Sequence, residues 1–317
     1  MTHHPLLVIG RPMGYVQSRL DAAFAVHHLP SDPSGFADLA QVRGVAMAGN
    51  HTRMDGELMD RLPKLEIIAN FGVGYDSIDA AAAAKRGIVV TNTPDVLTEE
   101  VADLALGLLL CTVRQLPQSD SFLRAGKWLE KGYPLTTTLR TRKVGIVGLG
   151  RIGKAVAKRL EAFGVAISYH GRSRQADVAY RHYPSLVKMA EDVDTLVSVA
   201  PGGAATRHMI NAEVLKALGP DGIVVNVGRG SVIDEQALIA ALRDKVILSA
   251  GLDVFDDEPN VPAELIAMDH IVLLPHVGSA TVHTREGMGQ LQVDNLVGWF
   301  SGKGPVTPVP ETPWPRT

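Results

Sequence analysis

Three residues in the second half of the chain have side chains suited to moving a proton and gripping an anion. They are Arg229 in VNVGRGS, Glu258 in GLDVFDDEP and His276 in LLPHVGSAT. An imidazole, with an ordinary pKa of about 6.5, gains and loses a proton near neutral pH. A carboxylate bonded to its other nitrogen would orient the ring and favour the protonated form. A guanidinium can hold a carboxylate through two parallel bonds. Taken singly, each has a plain structural explanation: a packed histidine, a solvated acid, a surface arginine. All three follow apolar runs with strand character, at the edge where open parallel sheets bind ligands, and that shared placement favours one common site.

The segment VGIVGLGRIGKAV, residues 144–156, supplies a different chemistry. Gly148, Gly150 and Gly153 stand between an apolar run and a helical stretch. The first permits a tight turn, the second lets backbone approach a pyrophosphate, and the third lets helix pack closely on strand. Arg151 and Ile152 lie in the same turn, where a helix start presents unpaired N–H groups and partial positive charge. Val156, Leu160 and Phe163 then share one apolar face, Gly164 can end the helix, and the strand AISYH follows. The glycine spacing alone is common; the complete strand–turn–helix–strand context points to a dinucleotide.

The end of that second strand bears on which dinucleotide. An NAD site usually places Asp or Glu about 20 residues past the turn, to accept from the ribose hydroxyls. Here HGRSRQ offers no carboxylate before Asp177. Arg172, Ser173 and Arg174 supply donors suited to a 2′-phosphate, so NADP is expected, with NAD possible at lower preference.

The elements that must position these residues recur in a regular pattern. LLVIG (6–10), GVAMAG (44–49), EIIAN (66–70) and IVVTN (88–92) read as buried strands separated by helical stretches. VADLALGLLLCTVRQL is a long apolar helix, with Thr98 as its expected N-cap. A second series follows: KVGIVG, AISYH, TLVSVA, IVVNVG, LSAGLDV and IVLLP. Near-continuous apolar strands alternating with helices imply parallel sheets covered on both faces. Two series predict an α/β protein of two doubly wound, Rossmann-like domains. HTREGMGQLQVDNLVGWF forms a last helix, and GPVTPVPETPWPRT reads as an extended, proline-rich tail.

The 317 residues can bury a large core, and 46 % apolar with 21 % charged content describes an ordinary globular protein. A net charge of −3 provides no electrostatic case for nucleic acid or an anionic membrane. The lone cysteine, Cys111, suits a reducing compartment and lies in an apolar helix, where a buried structural thiol is expected. The start MTHHPLLVIGRPMG lacks the parts of a secretion signal, and no apolar run approaches the roughly 20 residues of a membrane span, so a cytoplasmic protein is expected. No Cys or acidic cluster joins His3 and His4, so they are expected to be an idle terminus and no metal is expected.

Six stretches in order, NFGVGYDSID, EEVADLALGLLL, VGIVGLGRIG, VVNVGRGSVIDE, AGLDVFDDEP and LLPHVGSAT, carry a resemblance over nearly the whole chain. It resembles the D-2-hydroxyacid dehydrogenases, and within them the glyoxylate/hydroxypyruvate and hydroxyphenylpyruvate reductases. The resemblance implies a substrate domain built from residues 1–97 and 284–317 and a cofactor domain of residues 98–283, with a cleft that closes on ligand. It implies that the N–H groups of Val73 and Gly74 bind the substrate carboxylate. Arg229 would hold carboxylate and carbonyl oxygen, and His276, paired with Glu258, would protonate the carbonyl as hydride arrives from NADPH. Asp253 would bind the nicotinamide carboxamide. Thr98, Val227 and Gly228 would line the cofactor, Ser198 and Pro201 would approach its ribose side, and Gly278 would pass close to the nicotinamide. A homodimer paired largely through the cofactor domain is expected.

One departure stands out. Many relatives carry PLT after the third strand of the cofactor domain, whereas this chain reads APGGAATRHMI, and Gly202 and Gly203 leave only backbone for contact. The substrate stays open among glyoxylate, hydroxypyruvate, hydroxyphenylpyruvate and 2-ketogluconate. Formate dehydrogenases place Gln where Glu258 stands, and phosphoglycerate dehydrogenases often add a regulatory domain and the acidic NAD residue. A nucleotide-sensing corepressor keeps the same Arg, Glu and His, but a compact chain without low-complexity tails argues against it.

Overall fold

The computed structural model describes residues 4–29, 39–49 and 52–315; His3 lies outside them. The chain forms two compact units, Met1–Leu97 with Thr281–Thr317, and Thr98–Ala280. The second division falls where the Thr281 hydroxyl accepts the Thr284 N–H and starts the last helix, Val282–Phe300.

The first unit holds five parallel strands: β1 (Pro5–Gly10), β2 (Ala25–His28), β3 (Gly44–Ala48), β4 (Ile67–Asn70) and β5 (Val89–Thr91), ordered β2-β1-β3-β4-β5. Alternate residues feed opposite faces. Leu7, Ile9, Val45, Met47 and Ile68 enter one apolar cluster, while Leu6, Val8, Ala46 and Ile67 enter the other with Val293 and Leu296 of the last helix. Burial on both faces is why these strands read as unbroken apolar runs instead of alternating ones. The proline-rich tail is tied down at its start: Thr91 bridges Pro308, and Val309 donates to the Val90 carbonyl.

The second unit holds seven parallel strands: β6 (Lys143–Val147), β7 (Ala166–His170), β8 (Arg181–Tyr183), β9 (Thr195–Ser198), β10 (Ile223–Asn226), β11 (Ser249–Leu252) and β12 (Val272–Leu273). Their order is β12-β11-β10-β9-β6-β7-β8, so the chain reverses direction across the sheet between β6 and β9. In open α/β sheets that reversal opens a crevice beyond the strands' carboxyl ends.

Several local expectations are corrected. The strands β2 and β8 have no apolar run to announce them, since AVHH and RHY lie on sheet edges and stay largely half-buried or exposed. Thr98 is the first residue of the helix Thr98–Arg114 instead of its cap. Cys111 is half-buried, not buried, although burial still pushes its thiol pKa up. His4 is not idle: its Nδ1 lies 2.7 Å from Arg43 Nη1 and its ring stacks on Phe300 at 4.5 Å. Among the described residues no helix is long and apolar enough to cross a membrane.

Candidate active site

Most candidates of the second unit's sheet lie just past a strand's carboxyl end. Gly148 follows β6, Arg172 and Arg174 follow β7, Arg229 follows β10, Asp253 follows β11, and His276 follows β12. One edge of one sheet therefore collects them.

The glycine turn is built by close approach. Gly148 has φ +94°, and a Cβ on Gly153 would lie 2.2 Å from the Gly148 carbonyl oxygen, so neither position accommodates a side chain. Gly150 caps the helix Arg151–Glu161 without a side-chain bond, and nothing lies within 4 Å of where its Cβ would be. Open space over an uncapped helix start, beside a tightly packed bend, is the shape a pyrophosphate needs, and these residues fit a dinucleotide.

The loop after β7 is tied to this turn. Gln175 donates Nε2 to the Leu149 carbonyl at 2.7 Å, and its N–H donates to the Tyr169 hydroxyl at 2.7 Å. Arg172, Ser173 and Arg174 project from that tethered loop and are exposed. The first carboxylate beyond them, Asp177, is taken by Lys154 Nζ at 2.6 Å, and that bond holds its pKa below the usual carboxylate range. The local field therefore suits a phosphate group better than a ribose diol.

At the other end of the sheet, His276 Nδ1 lies 2.6 Å from Glu258 Oε2, and Glu258 Oε1 accepts the Phe255 N–H at 3.0 Å. Burial pushes the Glu258 carboxyl up, but the bond and charge of His276, the Phe255 N–H and the Arg229 charge outweigh it and hold the pKa low. An ionised carboxylate only accepts, so the ring proton belongs on Nδ1 and Nε2 is left for exchange. Nε2 makes no hydrogen bond among the described residues. The Arg229 guanidinium donates Nη1 to the Gly228 carbonyl at 2.9 Å, and the Gly228 N–H donates to Asn226 Oδ1 at 3.1 Å.

The backbone of His276 is itself unusual, with φ +53°, a conformation few non-glycine residues adopt. Asp253 holds it there. Its carbonyl accepts the His276 N–H at 2.9 Å, Oδ1 accepts the Val277 N–H at 2.7 Å, and Oδ2 accepts the Gly278 N–H at 2.8 Å. Asp253 is 1 % exposed, and burial pushes its pKa up against those bonds. Sequence reasoning missed this work, because its partners lie 24 and 25 residues away.

A second unread contact sets the spacing between Arg229 and Glu258. A Cβ on Gly230 would lie 1.8 Å from the Phe255 carbonyl carbon and 2.3 Å from the Asp256 nitrogen, so the two loops touch backbone to backbone. Glu235 braces the same loop by accepting the Asp256 N–H at 3.3 Å.

The remaining candidates are more scattered. Ser198 is fully buried, and its hydroxyl finds no partner among the described residues, so it is not placed to meet a ligand directly. Pro201 is exposed in a loop closed by Thr206, whose hydroxyl donates to the Pro201 carbonyl at 2.7 Å. Val227 is buried after β10, with its N–H on the Ser198 carbonyl. Thr98 opens the helix Thr98–Arg114. Val73 and Gly74 belong to the first unit, in the turn that follows β4.

Residues 106–278 match the family described as D-isomer specific 2-hydroxyacid dehydrogenase, NAD binding domain. The chain is 51% identical to a crystal structure of NADPH-dependent glyoxylate/hydroxypyruvate reductase from Sinorhizobium meliloti in complex with NADP and malonate. That likeness covers 100% of this chain and 99% of the other, with a TM-score of 0.95. Glyoxylate/hydroxypyruvate reductase A from Arabidopsis thaliana is 46% identical over 298 residues, 93% of this chain and 95% of that protein. Hydroxyphenylpyruvate reductase from Plectranthus scutellarioides matches at the same 46% over 298 residues, with 93% and 95% covered.

Proposed function

This chain belongs to the D-isomer specific 2-hydroxyacid dehydrogenase family, and on that premise we propose that it reduces small 2-keto acids to D-2-hydroxy acids with NADPH. Glyoxylate and hydroxypyruvate are the first substrates proposed; hydroxyphenylpyruvate and 2-ketogluconate are the alternatives within the same chemistry. The observation that carries this proposal is the 2.6 Å bond between Glu258 and His276, at the sheet edge that also bears the glycine turn.

A reduced nicotinamide, when bound, supplies a hydride for the keto carbon. The chain's own residues do the rest. His276, fixed by Glu258 with its proton-exchanging Nε2 left over, gives the developing alkoxide its proton. Arg229 grips the carboxylate and polarises the carbonyl, since positive charge aimed at developing oxyanion charge lowers the barrier. Val73 and Gly74 are proposed to offer N–H groups to a substrate carboxylate. The turn of Gly148, Gly150, Arg151, Ile152 and Gly153 holds the pyrophosphate. Arg172, Ser173 and Arg174 take the 2′-phosphate, in keeping with the NADP bound by the Sinorhizobium meliloti enzyme.

Thr98, Val227, Gly228, Asp253 and Gly278 are proposed to line the nicotinamide half, with Pro201 on the ribose side and Ser198 supporting Val227 through its carbonyl. A homodimer is proposed to pair through the second unit, where Trp128, Leu129 and Leu135 are 67 %, 95 % and 101 % exposed. The cytoplasm is the proposed location.

The test is NADPH oxidation followed by absorbance with glyoxylate, hydroxypyruvate, hydroxyphenylpyruvate and 2-ketogluconate, compared as kcat/KM. Highest kcat/KM on the two smallest acids is expected. No NADPH consumption with any of the four would overturn the enzyme and favour a nucleotide-sensing binding protein.

A further inference from the structure

The turn after β4 is held by hydrogen bonds to its own carbonyls. Three successive carbonyls in it are taken by donors from the protein's own side. The Gly72 carbonyl accepts from Asn70 Nδ2 at 3.2 Å and from the Thr93 N–H at 2.9 Å. Asn92 Nδ2 reaches the Val73 carbonyl at 2.8 Å, and the same Asn70 Nδ2 reaches the Gly74 carbonyl at 3.0 Å.

A trans peptide unit points its N–H opposite its C=O. Capturing the Gly72 oxygen therefore turns the Val73 N–H away from the captor, and capturing the Val73 oxygen does the same for the Gly74 N–H. Neither of these N–H groups has a hydrogen-bond acceptor among the described residues. Successive unpaired N–H groups on one side make an anion-binding concavity.

The orientation of Asn70 is not open to choice. It is 1 % exposed, and its Oδ1 is buried with no partner. An unsatisfied buried acceptor is costly, yet the flipped amide would set that oxygen against two carbonyls. Asn92 is braced from further away. Its carbonyl accepts the Thr307 hydroxyl at 2.6 Å, and Thr307 Oγ1 accepts Asn295 Nδ2 at 2.8 Å. Asn295, fully buried in the last helix, also accepts the N–H groups of Val306 and Thr307 at 2.8 Å each.

We propose that Asn70 and Asn92, the latter braced by Thr307 from the returning C-terminal chain, are positioning residues that aim the Val73 and Gly74 N–H groups at the substrate carboxylate. This rests on the proposed reduction of 2-keto acids, and it names what orders one end of that substrate's recognition. The asparagines touch no substrate; they act by setting peptide planes.

Asn92→Ala in the full-length protein tests this with two readouts. The first is calorimetric titration with oxalate, a dicarboxylate that cannot be reduced. The second is kcat/KM for glyoxylate against glyoxal, which replaces the carboxylate by a neutral aldehyde. Misdirecting one charge-assisted bond should raise the oxalate Kd about 10-fold and lower the glyoxylate-to-glyoxal preference by about the same factor. NADPH affinity and activity on glyoxal should hold, whereas general loosening of the fold would lower all of them together.

Unchanged oxalate affinity in a folded variant, or no oxalate binding by the parent, overturns the proposal. If the parent binds oxalate, loses affinity on substitution and yet reduces no keto acid, the positioning role stands and the assigned reaction fails. Should Asn92→Ala not fold, Thr307→Val removes only the brace; it should weaken oxalate binding in the same direction, and unchanged affinity there is equally fatal.

Discussion

His276 Nδ1 and Glu258 Oε2 lie 2.6 Å apart, in a bond that the carboxylate can only accept. That one contact fixes the tautomer and leaves Nε2 as the proton-exchanging atom. Replacing His276 by Asn should cut kcat by roughly 10²–10⁴-fold, the usual worth of a positioned acid. Glu258→Gln keeps the shape but loses the ionised acceptor that fixes the ring's tautomer, so its kcat should fall as well. Stopped-flow or steady-state NADPH oxidation reads both, and a parental kcat in Glu258→Gln would separate the two residues functionally.

Acid stability follows from the same carboxyl. Its folded pKa lies below the unfolded carboxylate value of about 4.3. Its contribution is therefore complete above the unfolded value and disappears as pH falls through the lower folded value. Thermal melts from about pH 6 to about pH 3 should show the parent losing Tm more steeply than Glu258→Gln, which has no proton to take up there. Parallel curves would mean that the pair does not stabilise the fold.

Arg229→Lys keeps the charge but not the planar fork. Lysine offers a point charge in place of two parallel bonds, so KM for glyoxylate should rise and kcat fall, with kcat/KM down about 10²-fold or more, as for a lost oxyanion donor. Rescue by added guanidinium in Arg229→Ala would support the same assignment. Parental kinetics in Arg229→Lys would remove the fork from the mechanism.

The tethered loop after β7 carries the cofactor prediction. Arg172→Ala with Arg174→Ala should raise KM for NADPH while leaving KM for NADH nearly unaltered, shifting the preference about 10-fold or more, the size expected for charge-assisted phosphate bonds. An unaltered NADPH-to-NADH ratio would place phosphate recognition on other residues.

Gly230 makes a purely steric prediction. Its Cβ would meet backbone atoms of Phe255 and Asp256 at 1.8 and 2.3 Å, and backbone cannot swing aside as a side chain can. Gly230→Ala should cost about 1–3 kcal/mol of stability by overpacking, measured by denaturant unfolding. It should also lower kcat beyond any loss of folded protein, because it parts the Arg229 turn from the loop that carries Glu258. A variant with parental stability and kcat would show that the two loops are not locked together.

Much of this was legible along the chain because burial writes itself into sequence. Strands covered on both faces need apolar residues at every position, so β1, β3, β4, β6 and β10 stand out as runs. The glycine bend was legible because backbone crowding admits no other residue at Gly148 and Gly153. Edge strands β2 and β8 were not, since a half-exposed strand tolerates His and Arg. Nor were the tasks of Asp253, Asn70 and Asn92, each of which bonds main-chain atoms and therefore needs no matching side chain elsewhere to betray it.

By itself the sequence determined the two parallel-sheet units, the glycine bend and the identities of Arg229, Glu258 and His276, all features imposed by local sterics, burial or side-chain chemistry. Only the tertiary structure decided the 2.6 Å geometry of the expected Glu258–His276 pair, that Asp253 holds the histidine's left-handed backbone, and that Thr307 braces a turn near the other end of the chain. Hydrogen bonds depend on distance and direction in space, and the linear order of residues carries neither.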